Sequence, residues 1–226
     1  MTLKTTLGDL LGPQLPHAAP GLTTAFVREA LDRAVHGIGP LPPAVVAAER
    51  QLAEQRGHVD RAVHEVIENH VRLAGAQGFA TNLGGLVTVA VMLPTNIIGL
   101  AVIQSRMVAG IAHLRGYDLT DPRVKNAVLA CLLGEEMVDA MVASRRLPAP
   151  PMALATAPVL DPHLEQVIAA EVAASVISKV AGRRALMAMG RRIPVVGGLV
   201  GLGADGFVTW RVGRYADREL LPRVRR

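Results

Sequence analysis

The chain has 226 residues, half of them apolar and only 3% aromatic, with a net charge of 24 − 19 = +5. So apolar a composition excludes a disordered segment and a charged fibrous rod. The single cysteine, Cys131, excludes an intramolecular disulfide and a cysteine-built metal cluster.

Residues 1–22 carry Asp9, Pro13, Pro16 and Pro20, which interrupt any secretory apolar core. They read as a flexible N-terminus of a cytoplasmic protein. Residues 22–37 predict a first helix, and Pro42-Pro43 open a second running to about Arg56. A third spans about 58–74. On its projection Asp60, Arg61, His64, Glu65, Glu68, Asn69 and Arg72 share a polar arc, and His70 points into the apolar one. The His64-Glu65 pair starts like a zinc motif, but residue 68 is Glu, so no histidine pair sits one turn apart.

From Leu73 to Ser105 no side chain is charged. Gln77, Asn82, Asn96 and several glycines interrupt the run, which predicts two apolar helices joined near Pro94 rather than a spanning segment. Arg106, Gly110 and His113 then share a helix face just ahead of Tyr117-Asp118. A polar seam on an apolar helix suits an interior site or a lipid headgroup contact. Asp121-Pro122 opens the next helix, with Asp capping free N–H groups and Pro at the first helical position.

Glu135, Glu136 and Asp139 place three carboxylates within about 100° of helix surface, continuing the stripe of Val124, Val128 and Leu132. Carboxylates there need Arg, His or a hard cation such as Mg²⁺, and they are the candidate catalytic and metal-holding residues. The segment 147–160 has four prolines and no charge, a linker within one domain, and Asp161-Pro162 opens a further helix.

Residues 183–226 hold ten arginines against Asp205, Asp217 and Glu219. Arg183, Arg184, Arg191 and Arg192 lie about two turns apart and could face anionic headgroups. Ile193–Ala204 is apolar and Gly-rich but too short to span a bilayer, and its glycines suit close helix packing. Gly201-x-Gly203-x-x-Gly206 lacks the preceding strand of a dinucleotide site. Asp205, alone in apolar surroundings, needs a partner or a function, and Arg214-Tyr215 could cap the same site. Residues 222–226 form a basic tail. Nucleic acid is not expected as a partner, since the aromatic stacking platforms are missing.

Two segments together resemble the EcsC family: GFATNLGGLVTVAVMLPTNIIGLAVIQSRMVAGIAHLRGYDLTDPRV (78–124) and ISKVAGRRALMAMGRRIPVVGGLVGLGADGFVTWRVGRYADREL (177–220). The resemblance implies a bacterial, mostly helical, hydrophobic protein from a family named for a gene neighbouring an ABC transporter. It favours membrane association and supplies no catalytic residues.

The expectation is an all-α, compact multi-helix domain over 23–221 with Gly-rich apolar central helices. It is expected on the inner face of the cell membrane, binding anionic lipid or an apolar small molecule through Arg106, His113, Tyr117, Asp118, Asp205, Arg214 and Tyr215, with no cofactor. One alternative is a Mg²⁺-dependent enzyme acting on a lipid or isoprenoid diphosphate through Glu135, Glu136 and Asp139. Another is an accessory protein of a membrane transporter.

Overall fold

The structure, a computed structural model, describes residues 20–37, 42–83, 85–175 and 194–223, with side chains over 27–37, 42–77, 99–175 and 203–223. The fold is all-α, and no strand occurs among the described residues. The elements are α1 (Pro20–His36), α2 (Ala44–Glu54), α3 (Val59–Leu83), α4 (Gly85–Leu114), α5 (Pro122–Leu133), α6 (Glu135–Ala143) and α7 (Pro151–Ala155). A helix described over 164–175, α8, follows, and α9 (Pro194–Glu219) closes the fold.

The centre of the molecule is the second half of α4. Residues 101–112 are buried on every side, and α1, α2, α3, α5 and α9 pack around them. A helix that is apolar around its whole circumference has no face to offer water, so it must be enclosed. Met107, Val108, Ile111, Leu129, Val138 and Leu220 belong to the resulting continuous core.

The uncharged run divides between Leu83 and Gly85, not near Pro94, which lies inside α4. A single proline removes one i→i−4 bond from a long helix.

α4 ends where the chain turns left-handed at Gly116 (φ 87°). Tyr117 N–H donates to the Ala112 carbonyl and Gly116 N–H to that of His113, the Schellman pattern that satisfies the last carbonyls of a helix. Asp121 then caps α5 by accepting from Arg123 N–H at 2.8 Å, with Pro122 at the first position as expected. The proline-rich segment is not a plain spacer. It folds into α7, which docks on α5 and buries Pro151, Leu154 and Ala155.

α9 lies along α3. A Cβ on Gly206 would meet Val71, and one on Gly213 would meet Ile67, so the two helices run antiparallel. The end of α3, the start of α4 and the start of α9 therefore share one end of the molecule. The stretches that supply that end, 73–83 of α3, the start of α4 from Gly85 and 194–204 of α9, contain no ionisable side chain. The opposite end is ionic. Arg115 donates to Asp60 on α3 at 2.7 Å and to Asp217 on α9 at 2.6 Å, and its carbonyl accepts from Arg223 N–H at 2.8 Å.

Candidate functional site

The seam on α4 faces α2 and α3. Arg106, Gly110 and His113 are spaced i, i+4, i+7 and so follow one stripe of the helix. His113 Nε2 donates to Glu49 Oε1 on α2 at 2.6 Å. Gly110 lies against Ala48 of α2 and Val66 of α3, ordinary contacts that small side chains keep close. Above them a cavity of about 220 Å³ opens between the three helices, lined by Arg106, His70, Asn69, Arg50, Gln51 and small apolar residues.

Arg106 is 4% exposed. Its Nη1 is buried without a hydrogen-bond partner, and burial lowers the pKa of the guanidinium. Arg115, the comparable buried arginine one helix end away, is held by two carboxylates.

His70 is bound as the sequence suggested. Nδ1–H donates to the Val66 carbonyl at 2.7 Å, one turn back along α3, which leaves Nε2 as an acceptor. Burial pushes its pKa from 6.5 down to about 4, the Val66 bond acts the other way, and the charge of Arg106 lowers it further. The ring is neutral at pH 7. Between these two pKa values the unfolded chain binds the extra proton. The associated stability is therefore complete above pH 6.5 and is lost as pH falls toward 4, on the order of 3 kcal/mol. Urea unfolding at pH 7.5, 5.5 and 4.5 should show a shallower decline in His70→Gln than in the wild type.

The remaining seam residues do not gather around Arg106. Tyr117 is buried, donates its hydroxyl to the Leu221 carbonyl at 3.0 Å and lies under the Arg223 guanidinium at 5.4 Å. Burial raises its pKa. Asp118 is exposed and accepts from the backbone N–H and hydroxyl of Thr120, which hold its carboxyl below the usual range. His113, Tyr117 and Asp118 border a separate, open groove of about 560 Å³ with Lys125.

Asp205 is buried on α9, one turn before Thr209, whose hydroxyl accepts from Gln104 at 3.2 Å. Gln104 precedes Arg106 by two residues, which is ~200° around α4. Asp205 and Arg106 thus address opposite sides of that helix. Arg214 is exposed beside Asp217, and Tyr215 is buried with its pKa raised, chiefly by burial.

The three carboxylates do not continue the α5 stripe. Gly134 (φ 83°, ψ 163°) ends α5, and Glu135 and Glu136 start a new helix. Arg218 donates to Glu135 at 2.5 Å and Arg211 to Glu136 at 2.6 Å, and Asp139 is exposed. Among the described residues no group of three or more His, Cys, Asp or Glu is placed to hold a metal ion. Arg183, Arg184, Arg191 and Arg192 lie outside the described residues, as do Gly84, Ile193 and the side chains on which packing of Ile193–Ala204 against the Gly84-Gly85 segment would rest.

One feature escaped the sequence reading. Phe207 and Trp210, two of the six aromatic residues, are stacked on α9 with centroids 6.1 Å apart and are 58% and 43% exposed. Their i, i+3 spacing was the available signal. Leu73, also exposed, lies two residues beyond Val71, the α3 residue that meets Gly206. Among the described residues no helix is long and apolar enough to cross a membrane.

No curated protein and no solved structure matches the chain. Residues 51–224 match the EcsC protein family, which takes in α3 to α9 and most of the chain. The chain belongs to the EcsC family.

Proposed function

We propose that this EcsC protein is a peripheral membrane protein that binds an acidic lipid at the inner face of the cell membrane. The observation that carries the reading is the exposed Phe207–Trp210 stack. In a chain so poor in aromatics, a solvated aromatic pair is costly to leave in water unless something covers it. It sits where α9 passes from the ionic end toward the uncharged end. That is the level at which aromatic rings mark a membrane–water boundary. Among the described residues no helix qualifies as a span, and the reading is a shallow seating, with apolar surface in the acyl boundary and basic residues toward headgroups.

Flotation with vesicles tests this. The wild type is expected to float with vesicles containing phosphatidylglycerol and less with phosphatidylcholine alone. A Phe207→Ser, Trp210→Ser double variant is expected to bind roughly 30-fold more weakly, the loss of about 2 kcal/mol of apolar burial. Its thermal midpoint should stay near the wild-type value, because both rings are solvated in the free protein. Equal flotation of wild type and variant, or none by either, overturns the reading.

A further inference from the structure

The cavity beside Arg106 has features that a purely structural site lacks. Arg106 projects from the most enclosed part of α4 and is 4% exposed, its Nη1 is buried without a hydrogen-bond partner, and burial alone shifts its pKa, with no neighbouring carboxylate acting on it. A buried cation without a counter-charge is a standing cost to the fold, and removing one is often stabilising. The molecule shows how it treats such a group elsewhere, clamping Arg115 between Asp60 and Asp217.

Around Arg106 the lining offers no carboxylate. It brings a second cation, Arg50, the amides of Gln51 and Asn69, and a neutral imidazole whose Nε2 accepts. That set suits a ligand with anionic oxygens for the guanidinium and amides, and a hydroxyl to donate to His70. The planar guanidinium fork pairs bidentately with two oxygens of a phosphate or carboxylate. The volume of about 220 Å³ is below the ~300–1,000 Å³ of pockets that enclose a drug-sized molecule, so it holds a head group and not a whole lipid.

We infer that the cavity between α2, α3 and α4 is an anion site in which Arg106 binds a phosphate ester carrying a neighbouring hydroxyl, such as a glycerol phosphate group. The inference rests on the proposed lipid reading in taking that group from a lipid, but the same chemistry is present in a free phosphate ester. The site is reached from the α2 side, where Arg50 is exposed and Gln51 half-buried.

The test uses the full chain and water-soluble probes, so its outcome is independent of flotation. Titration calorimetry compares glycerol phosphate, dihexanoyl phosphatidylglycerol below its micelle concentration, and dihexanoyl phosphatidylcholine. Binding of the first two, with at least a tenfold loss in Arg106→Met, is the expected result. Arg106→Met should also unfold at or above the wild-type temperature without ligand, since it removes an orphaned charge. Ala47→Leu, which fills the cavity and leaves Arg106 in place, should weaken binding by a similar factor. Binding of the lipid but not of glycerol phosphate, sensitive to both variants, supports the site with the acyl chain as part of the ligand. Equal binding of both assigns recognition to the head group alone. Equal affinity in wild type and both variants, a preference for phosphatidylcholine, or no binding to the wild type overturns the inference.

Discussion

Gly213→Val is expected to lower the thermal midpoint by roughly 6–12 °C, about 3 kcal/mol of lost stability. A Cβ at this position would stand 3.0 Å from Ile67 Cγ2, 3.1 Å from Ile67 Cγ1 and 3.1 Å from Met107 Sδ. Ile67 and Met107 are fully buried, so neither has an empty side to move into. A β-branched side chain adds two further carbons at the point where α9, α3 and α4 converge. Interiors packed to crystal density accept such volume only by forcing side chains off their rotamers or helices apart. Gly213→Ala is the graded control. It gains up to about 1 kcal/mol of helix propensity against a displacement of a few tenths of an ångström, and should stay within about 1 kcal/mol of the wild type. Differential scanning calorimetry of the three proteins checks the order. A Gly213→Val midpoint equal to the wild type would mean that α9 does not pack against α3 as described.

Arg115→Ala should cost about 3 kcal/mol at pH 7. Arg115 joins three helices at the ionic end, and its two carboxylate partners differ in environment. Asp60 is 87% exposed, so its bond contributes little after solvent screening, whereas Asp217 is 19% exposed and would be left partly buried without its main counter-charge. Arg214, 3.5 Å from Asp217, offers only a weak replacement. The loss should therefore fall mostly on the α4–α9 contact. Urea unfolding of Arg115→Ala, Asp217→Asn and the double variant separates the terms: the double variant should be less destabilised than the sum of the singles. Strict additivity would show that the two groups do not interact.

Local chemistry was the part of the fold most readable in the sequence. Asp121-Pro122 starts α5 because a capping carboxylate and a proline each satisfy the needs of a helix N-terminus with no outside help. The arcs of α3 were equally readable, since burial follows the helical period through Ala62, Val63, Val66 and Ile67. What failed was reading across breaks. The carboxylates at 135, 136 and 139 are continuous with Val124, Val128 and Leu132 only if Gly134 is helical, and its positive φ starts a new axis. Pro94 was the predicted joint, yet it lies inside α4, because a long helix can absorb one missing bond.

The candidate site was legible one helix at a time and no further. Arg106, Gly110 and His113 do share a stripe, because that is a property of α4 alone. Whether Asp205 meets Arg106 depends on the angular position of α9 around α4, which no local pattern encodes. The cavity is completed by Arg50, Gln51 and Asn69 from α2 and α3. Their types are those of an ordinary solvated surface, so composition could not single them out. The exposure of Phe207 and Trp210 was hidden for the same reason: their i, i+3 spacing puts both on one face of α9, but whether that face stays open depends on where α3 lies.

The pairing of α3 with α9 also sets a timetable for synthesis. The first helix of the pair leaves the ribosome long before the second. At ~5–20 residues per second, the gap between Asp60 and Asp217, both bound by Arg115, is roughly eight to thirty seconds. For that interval the buried face of α3 and the flank of α4 that α9 will cover have no cover of their own. The nascent chain carries an uncharged hydrophobic stretch for that time, since the helix that covers it lies more than eighty residues further along the chain. Chain order alone therefore leaves that apolar surface open during synthesis and closes it only when α9 is made.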